Sequence, residues 1–127
     1  MPWGVNVLSD LPFVDARYSG VITDAELSTA VTVSLSLART LGIGLFLTDC
    51  TRLEGGHSVF DLHGLASDIG SYGWLCPLKE AVVIAADGEN AELTRFWEAI
   101  CRNRDFRVRV FRDREVAVKW LLEMPEN

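Results

Sequence analysis

Two short runs of uninterrupted apolar residues constrain this chain more than any other feature. Ile43-Gly-Leu-Phe-Leu-Thr48 lies between Gly42 and Asp49, and Ala81-Val-Val-Ile-Ala-Ala86 follows later. Both are far shorter than the ~20 residues of a membrane span. Neither alternates as a half-solvated strand does. A strand that is apolar on both sides needs cover on both sides, which is the situation of a parallel sheet flanked by helices. Parallel neighbours also require crossover connections, so helices are expected between the strands.

The stretch 24–41 carries conflicting signals. Val31, Val33, Leu35 and Leu37 alternate with Thr32, Ser34 and Ser36, a strand pattern, while Leu27, Ala30, Val31, Ser34, Ala38 and Leu41 share one helical stripe. The stretch is too long for an ordinary strand. Thr23 and Glu26 have capping-box spacing and Gly42 stands where a helix would stop, so a helix is predicted. A second helix is predicted over 59–69, with Leu62, Leu65, Ala66 and Ile69 at helical spacing. A third carries Leu93, Phe96, Trp97, Ile100 and Cys101 on one face. A fourth starts after Asp113 as N-cap and buries Val116 or Ala117, then Trp120, Leu121 and Met124, with Pro125 after its end.

Residues 3–8 and 12–18 read as an antiparallel hairpin turning at Ser9-Asp10, with Gly20 ending its second strand. Phe106-Arg-Val-Arg-Val-Phe111 alternates strictly and turns Arg107 and Arg109 to a wet face, which marks an edge strand. The predicted order is β-β-α-β-α-β-α-β-α, a single α/β domain over residues 1–127.

With 49% hydrophobic residues, the chain can build a core without disulfide staples. Cys50, Cys76 and Cys101 match no zinc or redox spacing, and an odd count points to a reducing compartment. Met1–Asn6 lacks a basic region followed by an apolar core, so a cytoplasmic location is expected. The net charge of −6 disfavours nucleic acid and anionic membranes. Arg95, Arg102, Arg104, Arg107, Arg109, Arg112 and Arg114 crowd one segment, balanced there by Glu92, Glu98, Asp105, Asp113 and Glu115.

Four stretches carry a family likeness. They are Tyr18-Ser-Gly-Val-Ile-Thr23 before a helix, Leu47-Thr-Asp-Cys-Thr51 after a strand, Arg95-Phe-Trp-Glu98 with Cys101-Arg-Asn-Arg104, and Val108-Arg-Val-Phe-Arg-Asp113 leading to Ala117 and Trp120-Leu121. In their order and spacing the chain resembles the SpoIIAA-like family, relatives of the anti-sigma-factor-antagonist (STAS) fold, over almost its full length. The resemblance implies a five-stranded mixed sheet in sequential order, the first strand antiparallel, with four helices. STAS relatives are phosphorylation-controlled binding modules, and CRAL-TRIO relatives bind lipids. The STAS phosphoacceptor serine opens the second helix within Asp-Ser-(Ser/Thr)-Gly. Here that region is Leu53-Glu-Gly-Gly-His-Ser58, with neither the preceding Asp nor the following Gly. Ser58 is the candidate phosphorylation site and, independently, a helix cap helped by Asp61.

Asp49 to Gly56 reads as a polar loop at the carboxyl end of a buried strand, where open α/β sheets bind ligands. Asp49, Thr51, Arg52, Glu54 and His57 are the candidate binding residues. The plainer reading is that Asp49 and Thr51 only satisfy loop backbone groups. Cys50 in that loop is a candidate reactive thiol, whereas Cys101, Trp97 and Trp120 read as core. His57 and His63 are six apart and share no helical metal face. Gly55-Gly56 lacks the Lys-Ser/Thr of a phosphate loop. No metal, cofactor or catalytic residue is expected. The expected function is a non-enzymatic binding or regulatory module whose partner is another protein or a second copy. The alternative is a carrier of a small apolar or lipid-like ligand held between the sheet and a helix.

Overall fold

The computed structural model describes residues 3–7, 12–55, 78–85, 97, 99 and 106–123. Its centre is one mixed sheet with strands in sequential order. The strands are β1 (Trp3–Val7), β2 (Val14–Val21), β3 (Leu45–Gly55), β4 (Leu78–Ile84) and β5 (Phe106–Phe111). β1 runs antiparallel to β2, and the pairs β2–β3, β3–β4 and β4–β5 are parallel. Two helices are described, α1 (Asp24–Leu41) and α2 (Arg114–Leu122). Of the four expected, the helix over 59–69 lies outside the described residues. So does the helix around Leu93–Cys101, except for Trp97 and Ala99, which are helical.

The ambiguous stretch 24–41 is helical because its ends are specified. Thr23 Oγ1 accepts from the Glu26 amide at 3.1 Å, and Glu26 Oε1 accepts from the Thr23 amide at 2.9 Å. This is a reciprocal capping box. At the other end Gly42 takes φ 69°, a left-handed cap that suits a residue without Cβ. The Ile43 amide then reaches back to the Ala38 carbonyl at 2.8 Å. Ala30, Ser34, Leu35 and Ala38 are buried, while Leu41, expected on the stripe, is exposed. Ser34 is tolerated because its hydroxyl donates to the Ala30 carbonyl at 2.8 Å.

Cover on both sides follows from the two apolar runs. On the α1 side, Val14, Phe46, Leu78, Val82, Ile84 and Val108 pack with Leu35 and Ala38. On the other side, Phe13, Leu47, Ala81 and Val83 pack with Ala117, Trp120 and Leu121 of α2. Asp113 caps α2 as expected, accepting from the Glu115 and Val116 amides. Ala117, and not Val116, turns inward. β5 is an edge strand with Arg107 and Arg109 exposed. Its polar face is partly roofed, since Arg107 lies 5.7 Å from the Trp120 ring and Arg109 5.5 Å from Phe111.

β4 starts three residues earlier than the apolar run suggests and so takes two charged residues into the sheet. Lys79 faces α2. Its Nζ donates to the Trp120 carbonyl at 2.5 Å and sits 4.3 Å from the Trp120 ring centre. A cation at the negative end of a helix and over an indole face is stabilised twice. Burial first, then the neighbouring Arg107, lower the proton affinity of the Lys79 ammonium.

Glu80 faces the other way, toward α1. Its Oε2 accepts from Thr48 Oγ1 at 2.5 Å and its Oε1 from Trp97 Nε1 at 2.7 Å. The carboxyl thus ties β3 and β4 to the helical residue Trp97. Burial pushes its pKa above the usual carboxylate range, against the two hydrogen bonds, which pull it down. The adjoining cavity is small, about 40 Å³, walled by Ala16, Tyr18, Phe46, Leu35 and Trp97 among others.

Two outcomes follow. Thr23→Ala should destabilise the protein by about 1 kcal/mol in urea unfolding, the usual worth of an N-cap; an unchanged midpoint would remove the box from the account of α1. For Glu80 the folded pKa is raised, so its contribution is complete below the unfolded carboxylate value of 4.5 and declines as pH rises through the folded value. Glu80→Gln keeps an acceptor for Trp97 and supplies a donor for Thr48, which mimics the protonated acid. Relative to Glu80→Gln, the wild type should lose melting temperature as pH rises above 4.5. Parallel profiles for the two proteins would show that Glu80 does not titrate in this way.

Candidate functional site

The residues expected in a loop lie in a strand. β3 continues from Leu45 to Gly55, so Asp49, Thr51, Arg52 and Glu54 belong to the sheet. The physical reason is that β2 does not stop at Tyr18 or Gly20 but runs to Val21 and offers a partner throughout. Arg17 pairs with Asp49, Ser19 with Arg52, Gly20 with Leu53 and Val21 with Gly55. The register slips twice, between Arg17 and Ser19 and between Gly20 and Val21. Gly20, at φ 67°, takes up the second slip in a conformation that costs a glycine nothing. These irregularities let a polar sequence remain paired. His57 and Ser58 lie outside the described residues.

At the carboxyl end of the parallel strands the sheet opens a cleft of about 470 Å³, lined by Trp3, Gly4, Arg17, Tyr18, Ser19, Asp49, Thr51 and Arg52. Asp49, Thr51 and Arg52 all line this cleft. Glu54 is not among the lining residues, and its carboxylate lies beside Gly20. β1 contributes because, being antiparallel, it brings its first residues to the far end of β2: Trp3 pairs with Tyr18 and Gly4 with Arg17. Gly4 forms an open part of the wall, and a Cβ placed there would meet nothing within 4 Å.

The carboxylate in the cleft is already engaged. Asp49 Oδ1 accepts from the Thr51 amide at 3.0 Å and from Thr51 Oγ1 at 2.6 Å. Its Oδ2 is 3.9 Å from Arg114 Nη1. The same guanidinium donates through Nη2 to Asp15 Oδ2 at 2.8 Å. Asp15 is only 5% exposed, its Oδ1 has no hydrogen-bond partner, and Arg114 is therefore its main compensation. Arg17 reaches the same oxygen at 3.5 Å but is 64% exposed, so that contact contributes little. Arg52 is exposed and, among the described residues, enters no ion pair.

Sequence reasoning misses Trp3, Gly4, Arg17, Tyr18 and Ser19 as lining residues, and the Asp15–Arg114 pair beside Asp49. The only signal available was the resemblance of Tyr18-Ser-Gly to a family motif, which marks a segment and not a role. The reactive-thiol reading of Cys50 is also corrected. Cys50 lies within β3 against the α1-side core, and burial, with Glu80 and Asp49 adding, pushes its thiol pKa up and away from thiolate. Burial raises the Tyr18 phenol in the same way. Among the described residues no three of His, Cys, Asp and Glu gather as a metal site would need. No described helix is long and apolar enough to cross a membrane.

No protein-family model matches this sequence, and no curated protein does. Among solved structures it is similar to an uncharacterised protein of the DUF3478 family with a SpoIIAA-like fold from Shewanella loihica PV-4. The two share 23% identity and superpose with a TM-score of 0.58 over 94% of this chain and 91% of the other. Sequential strand order, an antiparallel first strand and this likeness agree: the chain is an α/β domain with a SpoIIAA-like fold.

Proposed function

We propose that this chain is a non-enzymatic binding module of regulatory type that engages another protein through the cleft at residues 3–4, 17–19 and 49–52. The observation that carries this reading is the cleft's own chemistry. Its size falls within the few hundred Å³ typical of ligand sites. Its exposed polar groups include the Arg17 and Arg52 guanidiniums and the Ser19 hydroxyl, which recognise and orient. Asp49 is hydrogen-bonded to Thr51 and faces Arg114, an arrangement that holds a wall in shape rather than readying a base. A carrier of apolar ligands is less well supported. Among the described residues, the cavity between the sheet and α1, about 40 Å³, accommodates a water molecule but not a lipid chain.

The test fills the cleft without touching its charges. Gly4→Val adds a side chain where space is open, and valine suits a strand. Tagged wild type should retain a specific protein from the cells that express it, and Gly4→Val, with an unchanged melting temperature, should lose it. Equal retention by both would place the binding surface elsewhere.

A further inference from the structure

The cleft also has a sign of charge, which points to its occupant. We infer that it receives an acidic, extended segment of the partner protein, with a carboxylate of that segment seated between Arg17 and Arg52. This rests on the proposed binding role of the cleft and goes beyond it by naming the chemistry of what enters.

Charge around the cleft is distributed unevenly. The two carboxylates, Asp15 and Asp49, are both turned to Arg114, one at 2.8 Å and the other at 3.9 Å. Asp49 is further occupied by both donors of Thr51. What remains toward the opening is cationic. Among the described residues Arg52 has no ion-pair partner, and Arg17 has only a 3.5 Å contact to an oxygen that Arg114 already holds. Pairing of Ser19 with Arg52 and of Arg17 with Asp49 puts the two arginines on neighbouring strands, lining one cleft. Guanidinium groups pair with carboxylates through two parallel hydrogen bonds, so two such groups suit an anionic side chain well.

The rest of the wall favours a polypeptide. Half-buried Trp3 offers aromatic surface beside the charges, the combination over-represented where proteins recognise one another. Gly4, without a side chain, leaves room for a backbone to pass. The net charge of −6 opposes an acidic partner at long range. At physiological ionic strength that repulsion is screened beyond about 8 Å, whereas a contact pair is much less so. The fit is therefore local.

The experiment uses the intact chain and labelled, end-capped hexaglutamate, with hexaglutamine and inorganic phosphate as the other probes. Fluorescence anisotropy should show saturable binding of hexaglutamate, weaker at higher salt, and none of hexaglutamine. Arg52→Ala removes an exposed side chain that pairs with no charge among the described residues, so folding should be unaffected. It should weaken hexaglutamate about tenfold, the equivalent of one charge-assisted contact. Gly4→Val should weaken it with every charge intact. Absence of hexaglutamate binding, or indifference to Arg52→Ala, would overturn the inference. Inorganic phosphate competing as well as hexaglutamate would overturn it too, by showing a site for a small anion. Partner capture separates the two levels: if Gly4→Val loses the native partner while hexaglutamate never binds, the cleft keeps its role and only the acidic occupant falls.

Discussion

The parallel pairing of β2 with β3, continued beyond its regular register, is the constraint on which the rest of the structure depends. While the register holds, Val14, Ala16, Phe46 and Thr48 face α1, and Asp15, Leu47 and Asp49 face the side that carries α2. Where it slips, after Arg17, the alternation is broken and side chains that a regular ladder would separate come to line one cleft. A bulge re-aims side chains at modest cost, because only a few ladder bonds are disturbed. Without continued pairing, residues 50–55 would need their backbone groups satisfied by water or by other side chains.

Beneath the cleft, Arg114 couples two parts of the chain that sequence separates widely. It is the first residue of α2, and its guanidinium reaches into the sheet to Asp15 and toward Asp49. Lys79 does the complementary work at the other end of the same helix, donating to the Trp120 carbonyl. One cation from the helix pins its start to the sheet, and one cation from the sheet pins its end. Lys79 and Asp15 are largely desolvated, so removing a partner from either contact would strand a buried charge. The geometry of the cleft wall and the seating of α2 are for this reason one problem.

Much of the fold was legible in the sequence, for identifiable reasons. α1 announces itself through Thr23, Glu26 and Gly42, all of which act locally, and its observed bounds match the expected ones. β5 is plain from its alternation, and the buried strands from their apolar runs. The start of β4 was hidden because Lys79 and Glu80 look like solvent-exposed residues, and only tertiary partners, the α2 carbonyls and the Thr48 and Trp97 donors, make their burial tolerable. The end of β3 was hidden because polar residues paired across a bulge look like a loop. Of the candidate site, Asp49, Thr51 and Arg52 were reachable by position along the chain. Trp3, Gly4 and Arg17 were not, because their place depends on β1 running antiparallel and on register, which no local pattern encodes.

The topology also carries a kinetic consequence. β1 and β2 lie close in sequence and α1 forms from its own caps, so these elements require little loop closure. Every other strand pair is parallel, and each first contact, such as Val14 with Phe46 or Leu45 with Lys79, spans a long excursion of chain. Such pairings are intrinsically slow, because the entropy of closing the loop is lost before the contact stabilises anything. The hairpin and α1 are thus the segments able to order first. The later-forming β3 must find its register against β2 through two irregularities, which makes that step the natural bottleneck in the assembly of the sheet.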